Sequence, residues 1–126
     1  MPRYTAVLIL AGLFGLAAVA SAPTSAQAPA CLHGPAETPD HRARRLAALK
    51  LANQLNEFEA AGRLQAERFY PMEDLPGLPP LPRGFKAQMS TDGASYAFSL
   101  KDTLDPCRFA YFSDHDRVVY AATPVP

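Results

Sequence analysis

The sequence predicts an α+β domain in which one long amphipathic helix packs on a four-stranded antiparallel β-meander. Three observations predict it. Apolar residues recur at helical spacing from Ala47 to Phe69. Four short runs after residue 84 alternate apolar and polar side chains, the pattern of half-buried strands. Thirteen prolines, mostly clustered, exclude a helical bundle running through the whole chain.

The elements follow in order. Tyr4–Ala20 is apolar and carries no charge, and Arg3 stands before it. Ala18-Val19-Ala20, followed by Ser21, offers small residues where a signal peptidase cuts. Ala26-Gln27-Ala28 is a second site, weakened by Pro29. Residues 1–20 therefore read as a cleaved secretory signal, and the protein as exported to the periplasm or the extracellular space. The alternative is an uncleaved membrane anchor, for which 17 residues sit at the short limit of a span. Residues 21–37, rich in Ala, Pro and Ser, read as a linker. Residues 38–126 form one α+β domain.

Thr38-Pro39-Asp40 marks the helix start: a capping hydroxyl, a proline suited to the first turn, and an acid at the positive end of the dipole. The predicted stripe is Ala47, Leu51, Leu55, Phe58, Gly62, Ala66 and Phe69, widened by Leu46, Leu49 and Leu64. Arg45, Lys50, Glu57, Glu59, Arg63 and Glu67 are expected mostly on the opposite side, with Asp40–Arg44 and Glu59–Arg63 as i,i+4 pairs. Pro71 stops the helix, and further prolines keep residues 71–83 irregular. The predicted strands centre on Phe85, Ala87 and Met89; on Tyr96, Phe98 and Leu100; on Phe109 and Tyr111; and on Val118-Val119-Tyr120-Ala121. Turns at Thr91-Asp92-Gly93, Asp105-Pro106 and Ser113–Asp116 separate them.

Charge and cysteines narrow the function classes. Twelve basic residues balance twelve acidic ones, which excludes the basic excess that nucleic-acid binding needs. In an exported chain two cysteines point to one disulfide, Cys31–Cys107. It would close a ring of roughly 77 residues and stabilise the fold by about 4–5 kcal/mol in the chain-entropy model. Lipid attachment at Cys31 is disfavoured, because Ala28-Pro29-Ala30 lacks the expected Leu and the apolar run ends well before it. A membrane link would need that lipid or an uncleaved signal.

Helix, irregular connection and antiparallel sheet, in that order, resemble the globular heads of type IV pilins and pseudopilins. The likeness rests on Leu51-Ala52-Asn53-Gln54-Leu55-Asn56-Glu57, on Phe69-Tyr70-Pro71 with Leu75 and Leu78, and on the hairpin Asp92–Phe98. Phe112-Ser113-Asp114 followed by Val118-Val119-Tyr120 completes it. The apolar segment lacks the Gly before, and the Glu within, the helix that prepilins use for assembly. The resemblance therefore implies a pilin-like head without the filament-forming stalk, and it brings no catalytic residue.

Candidate chemistry is sparse. Asp102, Asp105, Asp114 and Asp116 gather near the sheet's loops and could hold calcium, as some pseudopilin heads do, but Asp is also a standard turn residue and Arg117 stands where a calcium loop wants Gly. His33, His41 and His115 lack metal-ligand spacing and read as surface residues. No nucleophile elbow occurs, and Glu57 and Glu59 face different directions on the helix. Arg42, Arg44 and Arg45 read either as a solvated helix end or as a patch for an acidic partner, since arginine there opposes the helix dipole. Phe69, Tyr70, Tyr111, Phe112 and Tyr120 read as core, or alternatively as an aromatic binding patch. No cofactor is expected. The function expected is an exported, non-catalytic, pilin-like structural or binding module of the cell envelope with a protein partner there. The alternative is a small secreted inhibitor or ligand-binding protein.

Overall fold

In the structure, a computed structural model that describes residues 30–122, helix α1 spans Pro39–Ala66. Residues 1–20 and most of the linker lie outside the described part. Thr38 caps the helix: its hydroxyl accepts from the His41 N–H at 3.3 Å, with Pro39 and Asp40 in the first turn. The helix stops three residues before Phe69. Glu67 turns left-handed (φ 56°), and the Phe69 N–H is taken at 2.9 Å by the Gly93 carbonyl of the neighbouring hairpin. A tertiary hydrogen bond, rather than Pro71, sets the end.

Four antiparallel strands follow in meander order: β1 Phe85–Thr91, β2 Tyr96–Asp102, β3 Ala110–Asp114 and β4 Tyr120–Ala122. In register, Ala87 faces Leu100, Met89 faces Phe98, and Leu100 faces Tyr111. Period 2 therefore puts the predicted apolar set on one face. Between α1 and that face, Ala48, Leu51, Ala52 and Leu55 pack with Tyr96, Phe98, Leu100, Phe109 and Tyr111. The irregular segment after the helix contributes a 3₁₀ turn, Met72–Asp74, and the buried Leu75.

The helix is rotated from the predicted stripe. Its buried residues are Ala48, Leu51, Ala52, Leu55, Asn56 and Glu59, while Leu46 is 50% and Leu64 87% exposed. Two physical reasons account for the rotation. Small side chains at Ala48 and Ala52 let the helix approach a sheet face crowded with aromatic rings. Polar groups on that face, the Tyr96 and Ser113 hydroxyls, need hydrogen-bonding partners that Asn56 supplies. Glu59, expected at the surface with Arg63, is instead completely buried. The fourth strand is shorter than predicted: Val118 is 48% exposed and Val119 packs below the sheet before pairing starts at Tyr120.

Candidate functional site

At the pole where α1 begins, residues 31–37, read from the sequence as the end of a linker, are built into the fold. Cys31 and Cys107 form the disulfide, with Cα atoms 5.2 Å apart. Asp105 receives the Leu32 N–H at 3.0 Å, and the N–H groups of Cys107 and Phe109 at 3.1 and 3.3 Å. It therefore organises both sides of the bridge. His33, expected at the surface, is buried against Phe109 with ring centroids 4.8 Å apart. Its Nε2 lies 2.8 Å from Asp102 and its Nδ1 2.9 Å from Glu37. Arg44 donates to the other Asp102 oxygen at 2.8 Å and to the Arg83 carbonyl at 2.9 Å. Arg45 grips Glu37 with two hydrogen bonds, at 2.7 and 3.0 Å, and Arg42 adds one at 3.4 Å.

Electrostatics follows from these contacts. The Arg45 guanidinium, aided by His33 and Arg42, holds the Glu37 carboxyl down at about 2. Burial alone would raise Asp102, but the hydrogen bonds from His33, the Leu104 N–H and Arg44 outweigh it and keep its carboxyl below the usual range. Gly84 makes room for this crossing. Its φ is +81°, and an added Cβ would lie 2.8 Å from the Arg44 guanidinium and 2.6 Å from Leu104.

The sequence-derived sites are redistributed accordingly. Arg44 and Arg45, read as a patch for an acidic partner, spend their guanidinium groups on Asp102 and Glu37, and Arg42 alone of the three keeps a largely exposed side chain. The four candidate calcium carboxylates do not come together. Asp102 and Asp105 sit at the C-terminal end of β2 with their oxygens occupied by N–H donors. Asp114 and Asp116 sit at the β3–β4 turn, where the Asp116 N–H donates to Asp114 at 3.0 Å. Asp114 pairs with Ala97 near the start of β2, so the two pairs stand at opposite ends of the sheet. Among the described residues no three His, Cys, Asp or Glu side chains are grouped to hold a metal.

The opposite pole carries a second buried polar cluster, which the sequence reading missed. Asn56 accepts from the Tyr96 hydroxyl at 2.8 Å, and its amide donates to Ser113 at 3.0 Å and to the Arg117 carbonyl at 3.3 Å. Glu59 accepts the Tyr70 N–H at 3.0 Å through Oε2, whereas Oε1 has no partner. Burial pushes the Glu59 carboxyl up, against the Tyr70 N–H. Burial, with Glu59 nearby, pushes the Tyr96 phenol up to about 12. One signal for Glu59 was present: it stands four residues beyond Leu55, on the same side of the helix.

Among the described residues, nothing packs over the face of the sheet away from α1. Phe112 and Tyr120 stack across β3 and β4 there, with centroids 5.2 Å apart and planes 17° from parallel. They are 42% and 49% exposed, while Tyr111 on the other face is buried. Beside this pair lies a shallow groove of about 540 Å³ whose floor includes Ala97 and Ser99 and whose far wall includes Gln88 and Ser90. The five aromatics thus divide: Tyr111 is core, Phe69 and Tyr70 are half-buried, and Phe112 and Tyr120 form the exposed pair. Among the described residues no helix is long and apolar enough to cross a membrane. The chain matches no protein-family model, no curated protein and no solved structure.

Proposed function

We propose that this chain is an exported, non-catalytic binding or structural module of the cell envelope, built like a pilin head, and that it contacts a protein partner through the open face of its sheet. One observation carries the reading: α1 covers one face of the sheet, while the other presents the Phe112–Tyr120 stack beside a groove floored by small side chains. Paired aromatics offer large contact area at low entropic cost, as at protein interfaces. The disulfide and the charge-free Tyr4–Ala20 run support export. The His33–Asp102–Glu37 cluster supports a structural role for these groups, since His33 ties residues 31–37 to the sheet through Asp102, and Glu37 ties them to the helix through Arg45.

A photo-crosslinking amino acid placed at Phe112, with a second placed at the exposed Lys50 of α1 as a control, tests the contact surface in cells. The expected result is a discrete protein adduct from Phe112 and none from Lys50. Adducts from Lys50 alone overturn the assignment of the open face. A free monomer without adducts that inhibits an enzyme would move the function to the secreted-inhibitor class.

A further inference from the structure

A second surface, at the pole where α1 ends, differs in chemistry from the open sheet face. Ala60, Leu64 and Phe69 make an apolar strip, and Arg63, His115 and Arg117 surround it, enclosing about 260 Å³. Leu64 is 87% exposed, the most exposed large apolar side chain of the described residues. Arg63 is held at its side chain, and Arg117 at its backbone. Arg63 stacks over the Phe69 ring at 5.4 Å and donates to the Glu67 carbonyl. Arg117 is held in a left-handed backbone conformation (φ 64°) by the Asn56 amide on its carbonyl and by its own N–H on the Asp114 carbonyl. Among the described residues neither arginine has a carboxylate within ion-pair distance, whereas all three at the helix start do. His115 has one acid beside it, Asp116 at 4.0 Å.

We propose that this groove docks an acidic segment of a protein partner, with one apolar side chain on Ala60, Leu64 and Phe69 and flanking carboxylates on Arg63 and Arg117. Charge complementarity selects this occupant. The strip is rimmed by cations, and a guanidinium takes a carboxylate in a two-pronged hydrogen bond. The size agrees, because the volume suits a single side chain and falls short of the pockets that enclose whole small ligands. The desolvation that an apolar side chain brings strengthens the ion pairs formed beside it. This surface stands independently of the open sheet face, and together the two would let the module bridge two partners.

Peptide display on the full chain with its disulfide formed tests the proposal. The expected selection is an apolar residue flanked by Asp or Glu. A selected peptide should then bind the double variant Arg63→Gln/Arg117→Asn about tenfold more weakly. Asn tolerates the left-handed backbone at that position, and a melting curve of the variant checks that losing the Arg63 contacts with Phe69 and the Glu67 carbonyl leaves it folded. Leu64→Ser should weaken binding as well, and added salt should weaken binding to the unsubstituted chain. Selection without acidic bias, or equal binding by the double variant, overturns the proposal. So does co-flotation with phosphatidylglycerol vesicles that the double variant loses, since the rim would then read an anionic lipid surface.

Discussion

Two completely buried carboxylates, Asp102 and Glu59, occupy opposite poles of one small domain and solve the same problem differently. They are separated by most of the length of α1 and of the sheet, about 20 Å by strand rise from Tyr96 to Asp102. Asp102 is surrounded by His33, Arg44 and the Leu104 N–H, so its charge is compensated on both oxygens. Glu59 has a single donor, the Tyr70 N–H, and one oxygen without a partner. A buried charge with full partnering is held ionised, whereas one without it is pushed toward the neutral acid. The same chemical group is a fully paired anchor at one pole and a half-paired one at the other.

The largest effect expected from breaking this contrast comes at Asp102. Asp102→Ala leaves His33 and Arg44 without their shared acceptor and should cost about 3–5 kcal/mol, read from urea unfolding. A loss under about 1 kcal/mol would mean that water replaces the carboxylate, and that the pole is not closed. Next comes the bridge: Cys31→Ser with Cys107→Ser should cost about 2–5 kcal/mol, the chain-entropy figure standing at the top of that range. Hydrogen exchange should then rise at Leu32 and Phe109, whose N–H groups bond Asp105, while the Tyr70 N–H on Glu59 keeps its protection. Equal loss of protection at both poles would show that the two are not independent.

The smallest effect, and the sharpest in sign, belongs to Glu59. Its folded carboxyl is raised, so what it adds to stability is complete below its unfolded value, about 4.3, and is lost as pH rises through the folded value. Asp102 is lowered, so its contribution is present above about 3.9 and is lost as pH falls through the folded value. Glu59→Gln retains an acceptor for the Tyr70 N–H and removes the titration. It should leave stability at pH 4 nearly unchanged and raise it by about 1 kcal/mol near pH 8. Denaturation midpoints across pH check both arms, and an unchanged alkaline slope in the variant would show that Glu59 carries no such penalty.

Much of the architecture was legible from local pattern. Thr38-Pro39-Asp40 starts the helix as local capping dictates. The alternation in Phe85–Met89 and Tyr96–Leu100 places Phe85, Phe98 and Leu100 in the core, because period 2 leaves each strand one choice of face. Arginines at a helix N-terminus, by contrast, made no local sense. Arg44 and Arg45, read as opposing the dipole, stand beyond the first turn of α1 and are accounted for by Asp102 and Glu37, the first of them 58 residues from Arg44. His33 gave no signal of burial, since the Asp102 carboxylate it is buried with lies 69 residues away at the end of β2.

Element order, strand faces and the two cysteines available for a bridge are all set by local sequence. Each follows from neighbours within a few residues or from a count. Tertiary structure alone decided the helix phase, the helix end at Ala66, and which charged groups are consumed and which left available. Burial, which is a property of the assembled layers, converts Glu59 from a surface acid into a buried one and strips Arg44 and Arg45 of their freedom. It leaves Arg63 and Arg117 as the cations facing solvent beside an apolar strip. Periodicity reports that a helix has an apolar side. Which polar residues go with that side depends on groups outside the helix: the Tyr70 N–H of the connection for Glu59, and for Asn56 the hydroxyls of Tyr96 and Ser113, 40 or more residues downstream.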